Sequence, residues 1–186
     1  MLLFVGLGNP TPDSENNRHN IGFKIIDSIN KKFSLSKQKP KFKGLLTTGD
    51  IGNKKIYAIK PLTFMNNSGI CIREVIEYFK IDADDVVVFH DDLDVEFGKI
   101  KAKFGGSSAG HNGITSIDKF IGKDYSRVRV GIGKPKGTIE IGDYVLQNFD
   151  EEEALGIEKI LNNINDSLSI LVEKKLDLFS STVNNK

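Results

Sequence analysis

The run Val86-Val87-Val88-Phe89 is apolar at every position and stops abruptly at His90, Asp91 and Asp92. β-Branched residues without polar alternation make a strand buried on both faces, and such strands belong inside a sheet that helices cover on either side. The acids mark its carboxyl end. A second apolar run, Leu2–Val5, closes on a Gly6-Leu7-Gly8 turn. Around these strands, apolar residues recur at helical spacing. One set is Ile21, Ile25, Ile26, Ile29 and Phe33; a second is Ile72, Val75, Ile76 and Phe79; a third is Ile114, Ile117, Phe120 and Ile121. A long amphipathic stretch follows from Ala154 to Leu171, with acids in its first turn that complement the helix dipole. Residues 44–61 read as a hairpin around "GDIGNKK" ended by Pro61, and "RVRVGIG" alternates as a strand does. The pattern predicts one α/β domain over residues 1–179, a twisted mixed β-sheet with helices packed on both faces. The "SSTVNNK" tail at 180–186 reads as frayed.

Composition narrows the setting. No apolar run approaches the roughly 20 residues of a membrane helix, and the opening "MLLFVG" lacks a basic leader, so it reads as a buried strand and not a signal peptide. The single cysteine, Cys71, excludes an internal disulfide and fits a reducing, cytoplasmic setting. Its neighbours, "GICIREVI", place it in a helix as core. The net charge of +1 leaves the partner class open, because nucleic-acid binding needs a local basic patch and not a basic total. Basic residues do cluster: the stretch 31–43 is lysine-rich, Lys99, Lys101 and Lys103 alternate, and so do Arg127 and Arg129.

Ligands of such folds bind beyond the carboxyl ends of the strands. Asn9 follows the first strand, Asn66 lies between a strand end and a helix start, and Asp91 closes the central strand. The chain has three histidines, and two of them, His19 and His111, stand at helix starts and are each followed by asparagine. The Gly6–Gly8 turn lets the backbone approach closely enough to aim Asn9 inward. A histidine and an aspartate with no convincing serine or cysteine partner suggest a base that activates water. Asparagines around it would hold the water and donate to a developing oxyanion, each such donor being worth roughly 3 kcal/mol. An ester hydrolase needs no more than this, neither metal nor covalent intermediate. Simpler readings compete: a histidine at a helix start often only caps or packs, and loop Asn and Asp serve turns. A metal site from His19, Asp91 and His111 is conceivable, although no His pair one turn apart supports it. "GLGNP" lacks the third glycine of a dinucleotide fingerprint, and "GGSSAG" lacks the Lys-Ser/Thr of a P-loop. His90, one residue before Asp91, should face the opposite side of the strand.

"FVGLGNP", "RHNIGF", "KPLTFMNNSG", "HDDLDVEFGKIKAKFGGSSAGHNG" and "RVRVGIGKP", in this order, resemble the bacterial peptidyl-tRNA hydrolases. The resemblance spans nearly the whole chain and implies the peptidyl-tRNA hydrolase-like fold. It also implies a cytoplasmic, monomeric, cofactor-free enzyme, without metal or membrane, that cleaves the ester between peptide and tRNA. By resemblance, His19 is the base and Asp91 the carboxylate that orients it. Asn9 and Asn66 hold the substrate end and the water, and Asn112 serves the water and oxyanion. His111 shapes the tRNA side, Met65 lines the peptide cleft, and Asp94 sits near the cleft mouth. Lys101, Lys103 and Arg129 resemble a clamp for a tRNA phosphate, and their alternation puts the two lysines on one side of the backbone. "DYVLQNFDEEE" resembles a lid. Thr11 stands where the family usually has glycine, Ser14 where it has a substrate-stacking tyrosine, and the loop after Asp94 lacks the usual proline. An RNA-binding relative without strong catalysis is the alternative that the same fold allows.

Overall fold

The structure, a computed structural model, describes residues 1–186. Seven strands form one sheet in the order β2-β3-β4-β1-β5-β7-β6. They are β1 (Leu2–Gly6), β2 (Lys39–Lys41), β3 (Gly44–Ile51), β4 (Lys54–Pro61), β5 (Val86–Asp92), β6 (Ile100–Phe104) and β7 (Ser126–Gly131). β4, β1, β5 and β7 run parallel, while β2, β3 and β6 are antiparallel additions at the two edges. The mixed sheet expected from the sequence is therefore present, with β1 and β5 at its centre.

Six helices cover it: α1 (Ile21–Lys32), α2 (Ser68–Phe79), α3 (Asn112–Ile121), α4 (Ile141–Val145), α5 (Glu151–Val172) and α6 (Leu176–Asn184). Strand alternation divides the core between the two faces. Leu2, Phe4, Val87 and Phe89 pack with α1, α5 and α6 in one buried cluster. Leu3, Val5, Val86 and Val88 pack with α2 and α3 in another, which also holds Cys71. Burial pushes the Cys71 thiol up to about 12, so it stays a neutral packing group.

Helix α1 lies unusually close to the sheet. A Cβ on Gly22 would meet the Leu7 nitrogen at 2.3 Å and the Phe89 carbonyl oxygen at 2.5 Å, and one on Gly6 would meet the Gly22 oxygen at 2.2 Å. These contacts are backbone to backbone, so only glycine fits at either place. The close approach sets the start of α1 beside the carboxyl ends of β1 and β5.

The expected frayed tail is an error. Residues 176–184 are helical, and Phe179 and Val183 are buried. The Asn184 amide pairs with Ile100 from both ends: the Ile100 N–H donates to Asn184 Oδ1 at 2.9 Å, and Asn184 Nδ2 donates to the Ile100 carbonyl at 2.8 Å. The Ala102 N–H donates to Ser180 Oγ at 2.9 Å. Side chains of α6 thus satisfy the open edge of β6, which an isolated edge strand would leave as a template for aggregation. Polar residues that looked like a solvated tail are hydrogen-bonding to a strand 84 positions away. Asn184→Ala is expected to lower unfolding free energy by about 1–3 kcal/mol, through the unpaired Ile100 groups it leaves. Chemical denaturation of the variant against the native chain measures this.

Candidate active site

Asp91 is the penultimate residue of β5, with its side chain 2% exposed. A carboxylate so far from water needs compensating donors, and two imidazoles supply them. His19 Nδ1 lies 2.9 Å from both Asp91 oxygens, and His111 Nε2 lies 2.9 Å from Oδ1. Burial alone raises the Asp91 carboxyl, but the His111 and His19 imidazoles outweigh it and hold the group far below the usual carboxylate range. It is an anion at any working pH.

Local structure fixes the tautomers. His111 is the N-cap of α3, and its Nδ1 accepts from the N–H groups of Gly113 at 3.1 Å and Ile114 at 3.3 Å. Nδ1 therefore carries a lone pair, and Nε2 carries the proton that Asp91 accepts. His19 sits on a single 3-10 turn, Arg18–Asn20, directly before α1. Its Nδ1–H donates to Asp91, which leaves the Nε2 lone pair free to take a proton. The two rings are 4.8 Å apart and tilted by 46°.

His90 does face the opposite side of β5 from Asp91, with Val86 and Val88. That side carries the start of α3, and the His90 ring packs edge-on to His111 at 5.1 Å. Burial, then the neighbouring His111, keeps His90 well below the ordinary imidazole range. It is a neutral buttress behind His111.

The asparagines come from three loops. Asn9 Oδ1 accepts from the Met65 N–H at 2.9 Å, which ties the β1 turn to the 3-10 turn Met65–Asn67. Asn20 clamps the backbone of Asn9: its Oδ1 accepts from the Asn9 N–H and its Nδ2 donates to the Asn9 carbonyl, both at 2.9 Å. Sequence reasoning noticed the His19-Asn20 dipeptide but assigned Asn20 no role; the repeated His-Asn pair was the available signal. Asn66 and Asn112 are exposed at the starts of their helical segments. Met65 is buried, and a Cβ on Gly113 would meet its Sδ at 2.6 Å and the His111 Cε1 at 3.1 Å, so glycine there leaves room for both side chains.

Two further candidates from the sequence, Asp94 and Ser14, have partners of their own. Asp94 is at the surface, with its carboxylate 3.6 Å from Lys134 and its N–H bonded to Asp92 Oδ1. Ser14, expected to contact substrate, is buried, and its hydroxyl pairs with that of Thr11 at 2.6 Å. The two departures from the family pattern thus staple one turn, and the Ser14 hydroxyl is used inside the protein. A cleft of about 1290 Å³ along α1 and α5 touches Asn9 and Asn20 but not His19, Asp91 or His111. Its size does not make it the chemical centre.

The basic residues share one face of the β6–β7 ladder, with Lys101 opposite Arg129 and Lys103 opposite Arg127. Arg127 is fully buried and serves structure, donating to the Ser107 carbonyl and to Asp118. Arg129 Nε donates to Asp92 Oδ2 at 2.7 Å. Burial and the neighbouring Arg129 and Arg127 push the Lys103 ammonium down.

The sequence and the fold have counterparts among known proteins. The family model for peptidyl-tRNA hydrolase matches residues 3–186. The chain is 78% identical to the peptidyl-tRNA hydrolase of Pelagibacter ubique over 186 residues, all of both chains. It is 43% identical to that of Gluconobacter oxydans over 98% of this chain and 97% of the other. The crystal structure of peptidyl-tRNA hydrolase from Acinetobacter baumannii superposes with a TM-score of 0.92 at 28% identity, covering 99% of this chain and 94% of that one. With a family match that spans all but two residues and full-length relatives well above 30% identity, the chain belongs to the peptidyl-tRNA hydrolase family.

Proposed function

We propose that this enzyme hydrolyses the ester joining peptide to tRNA by general-base catalysis, with His19 as the base. The observation that carries the reading is the fixed tautomer of His19, whose Nδ1 is committed to a buried anion while Nε2 is left free. Nε2 takes a proton from water as the water oxygen attacks the ester carbonyl carbon. Asp91 stabilises the imidazolium that forms and prevents the ring from turning. The imidazolium then returns the proton to the departing ribose oxygen as the carbon–oxygen bond breaks. In this reading the side-chain amides of Asn9, Asn66 and Asn112 supply neutral donors for the water and the oxyanion.

The donor set also speaks to metal. His19, Asp91 and His111 each bring a ligand atom within 4.8 Å of the others. A metal on His111 Nε2 would require the proton to move to Nδ1, and Nδ1 already accepts two backbone N–H groups. The cap of α3 would be lost, so the trio is built for hydrogen bonding.

Lys101, Lys103 and Arg129 support the tRNA side of the reading, as cations aligned on one sheet face, of which Arg129 is paired with Asp92. The cytoplasmic, monomeric state belongs to the same proposal. No helix is long and apolar enough to cross a membrane, which is compatible with it.

His19→Ala is expected to slow single-turnover peptide release roughly a hundred- to ten-thousandfold, with chelator leaving the native rate unchanged. A variant as fast as the native chain would place the base elsewhere, and loss of native activity in chelator would reinstate a metal.

Asp91→Asn presents an amide where two N–H donors need an acceptor, and the rate should fall by a factor on the order of a thousand or more. Its stability profile has a defined sign. The Asp91 carboxyl is held below its unfolded value of roughly 3.9, so the stability it contributes is complete above that pH and drains away as pH falls below it. Acid unfolding between about pH 4 and pH 2 should therefore be steeper for the native chain than for Asp91→Asn.

For the basic face, Lys101→Ala/Lys103→Ala should weaken binding of deacylated tRNA and flatten its salt dependence by about one to two ions released. An unchanged salt slope would remove these residues from the phosphate contact.

A further inference from the structure

The proposed base stands on one 3-10 turn that has no side-chain cap, and Asn17 before it is extended. Such a turn holds itself weakly. Asp91 and α1 restrain it from one side. On the other side, residues 16–18 are bound to a distant strap, residues 144–153. The Arg18 N–H donates to the Gln147 carbonyl at 3.0 Å, the Phe149 N–H donates to the Asn16 carbonyl at 3.2 Å, and Asn17 pairs with Asn148 in an antiparallel bridge.

The Arg18 side chain anchors this junction. It is 7% exposed, and its guanidinium donates from Nη1 to the Tyr144 carbonyl at 3.3 Å and from Nη2 to Glu153 Oε1 at 2.8 Å. It also lies 4.1 Å from the centre of the Tyr144 ring. Tyr144 lies in the last turn of α4, and its carbonyl also accepts from the Gln147 N–H at 3.1 Å. Glu153 lies in the first turn of α5, where its carboxylate also accepts from the Asp150 N–H in a capping box. One planar cation therefore joins the end of α4 to the start of α5 and fixes both to the residue before His19. A lysine offers a point charge, which cannot serve a carbonyl and a carboxylate in this fork geometry. Neighbouring side chains of a 3-10 turn project about 120° apart, and Arg18 points into the strap while His19 points to Asp91. Arg18 does not touch the reacting groups.

We propose that Arg18 is a positioning residue for the His19 base, locking the turn that carries it to the strap through Glu153 and Tyr144. The proposal rests on the reading of His19 as base. The strap and the base then move as one unit, and loosening the strap misplaces Nε2 without altering the tRNA surface.

The test is Arg18→Met, which keeps the length and apolar stem of the side chain. Three quantities are read well below the variant's melting temperature. They are the single-turnover rate at saturating peptidyl-tRNA, the affinity for deacylated tRNA, and the downfield proton resonance of the His19 Nδ1–H bonded to Asp91. The expected result is a rate lowered about tenfold or more, tRNA affinity within about twofold of native, and a shifted or broadened resonance. Glu153→Gln weakens the same junction from the other side and should give a smaller loss of the same kind, with an unchanged tRNA affinity. It decides the matter if Arg18→Met does not fold. A folded variant that reacts within about twofold of the native rate overturns the proposal. So does a rate loss that comes with an unmoved resonance or an equal loss of tRNA affinity. His19→Ala runs alongside as a control: if it reacts at the native rate, the base assignment falls and this proposal with it. An inactive His19→Ala beside a fully active Arg18→Met sinks only the role of Arg18.

Discussion

A carboxylate that is 2% exposed at the end of a central strand has to be surrounded by donors, and much of this structure follows from that requirement. Asp91 cannot be satisfied locally, because its own strand neighbours spend their N–H groups in the β-ladder. It draws one imidazole from the start of α1 and another from the start of α3, so loops 72 and 20 residues away must converge on it. Each imidazole is fixed in turn. His111 is held by the amides of its own helix, and the turn carrying His19 is held by the junction at Arg18. A neutral amide in place of the acid would break this chain of dependence, since it carries no charge to balance an imidazolium and presents an NH2 group where His19 needs an acceptor.

Convergence at that scale depends on how near the backbones can come. Gly6 and Gly22 let α1 touch β1 and the carboxyl end of β5, and Gly113 lets Met65, Leu7 and His111 meet. Gly69 does the same for α2, where a Cβ would meet the Ser116 carbonyl oxygen at 2.3 Å. Helix α1 is thereby set against the sheet and α2 against α3, which fixes where the polar residues at these helix starts lie. Asn20 shows the economy of the result. One amide saturates both backbone groups of Asn9, so that the Asn9 side chain is free to reach Met65.

What the sequence made legible was periodic or terminal. The unbroken apolar runs of β1 and β5, the spacing of the helices and the acids at the end of β5 each follow from local chemistry, and Asn9, His19, Asn66, Asp91, His111 and Asn112 were singled out as candidates because strand ends, helix starts and a repeated His-Asn pair are recognisable. The misses are hydrogen bonds between distant segments. Ser180 and Asn184 look like tail residues until β6 is seen to need partners. Nothing local marks Arg18, whose partner Glu153 lies 135 residues later in the chain. Ser14 and Thr11 looked like losses from a substrate-binding loop, yet they satisfy each other. α4 is five residues long, too short for any period to show.

The basic ladder illustrates a tension that the fold leaves in place. Like charges directly across an antiparallel pair are destabilising, yet Lys101 faces Arg129 and Lys103 faces Arg127. Two of the four are neutralised inside the protein: Arg127 by Asp118 and Arg129 by Asp92. Asp92 is the neighbour of Asp91, so the arginine of the ladder and the imidazoles of the site are held by consecutive carboxylates on opposite faces of one strand end. The lysines on β6 receive no such neutralisation, and Lys103 is left with its ammonium pushed down by burial and the arginines. A phosphate seated on this face would remove the repulsion and be fixed, through Arg129 and Asp92, at a set distance from Asp91. On the proposed reading, the phosphates and the ester of one substrate meet the two ends of this arrangement, and β5 is the ruler that connects them.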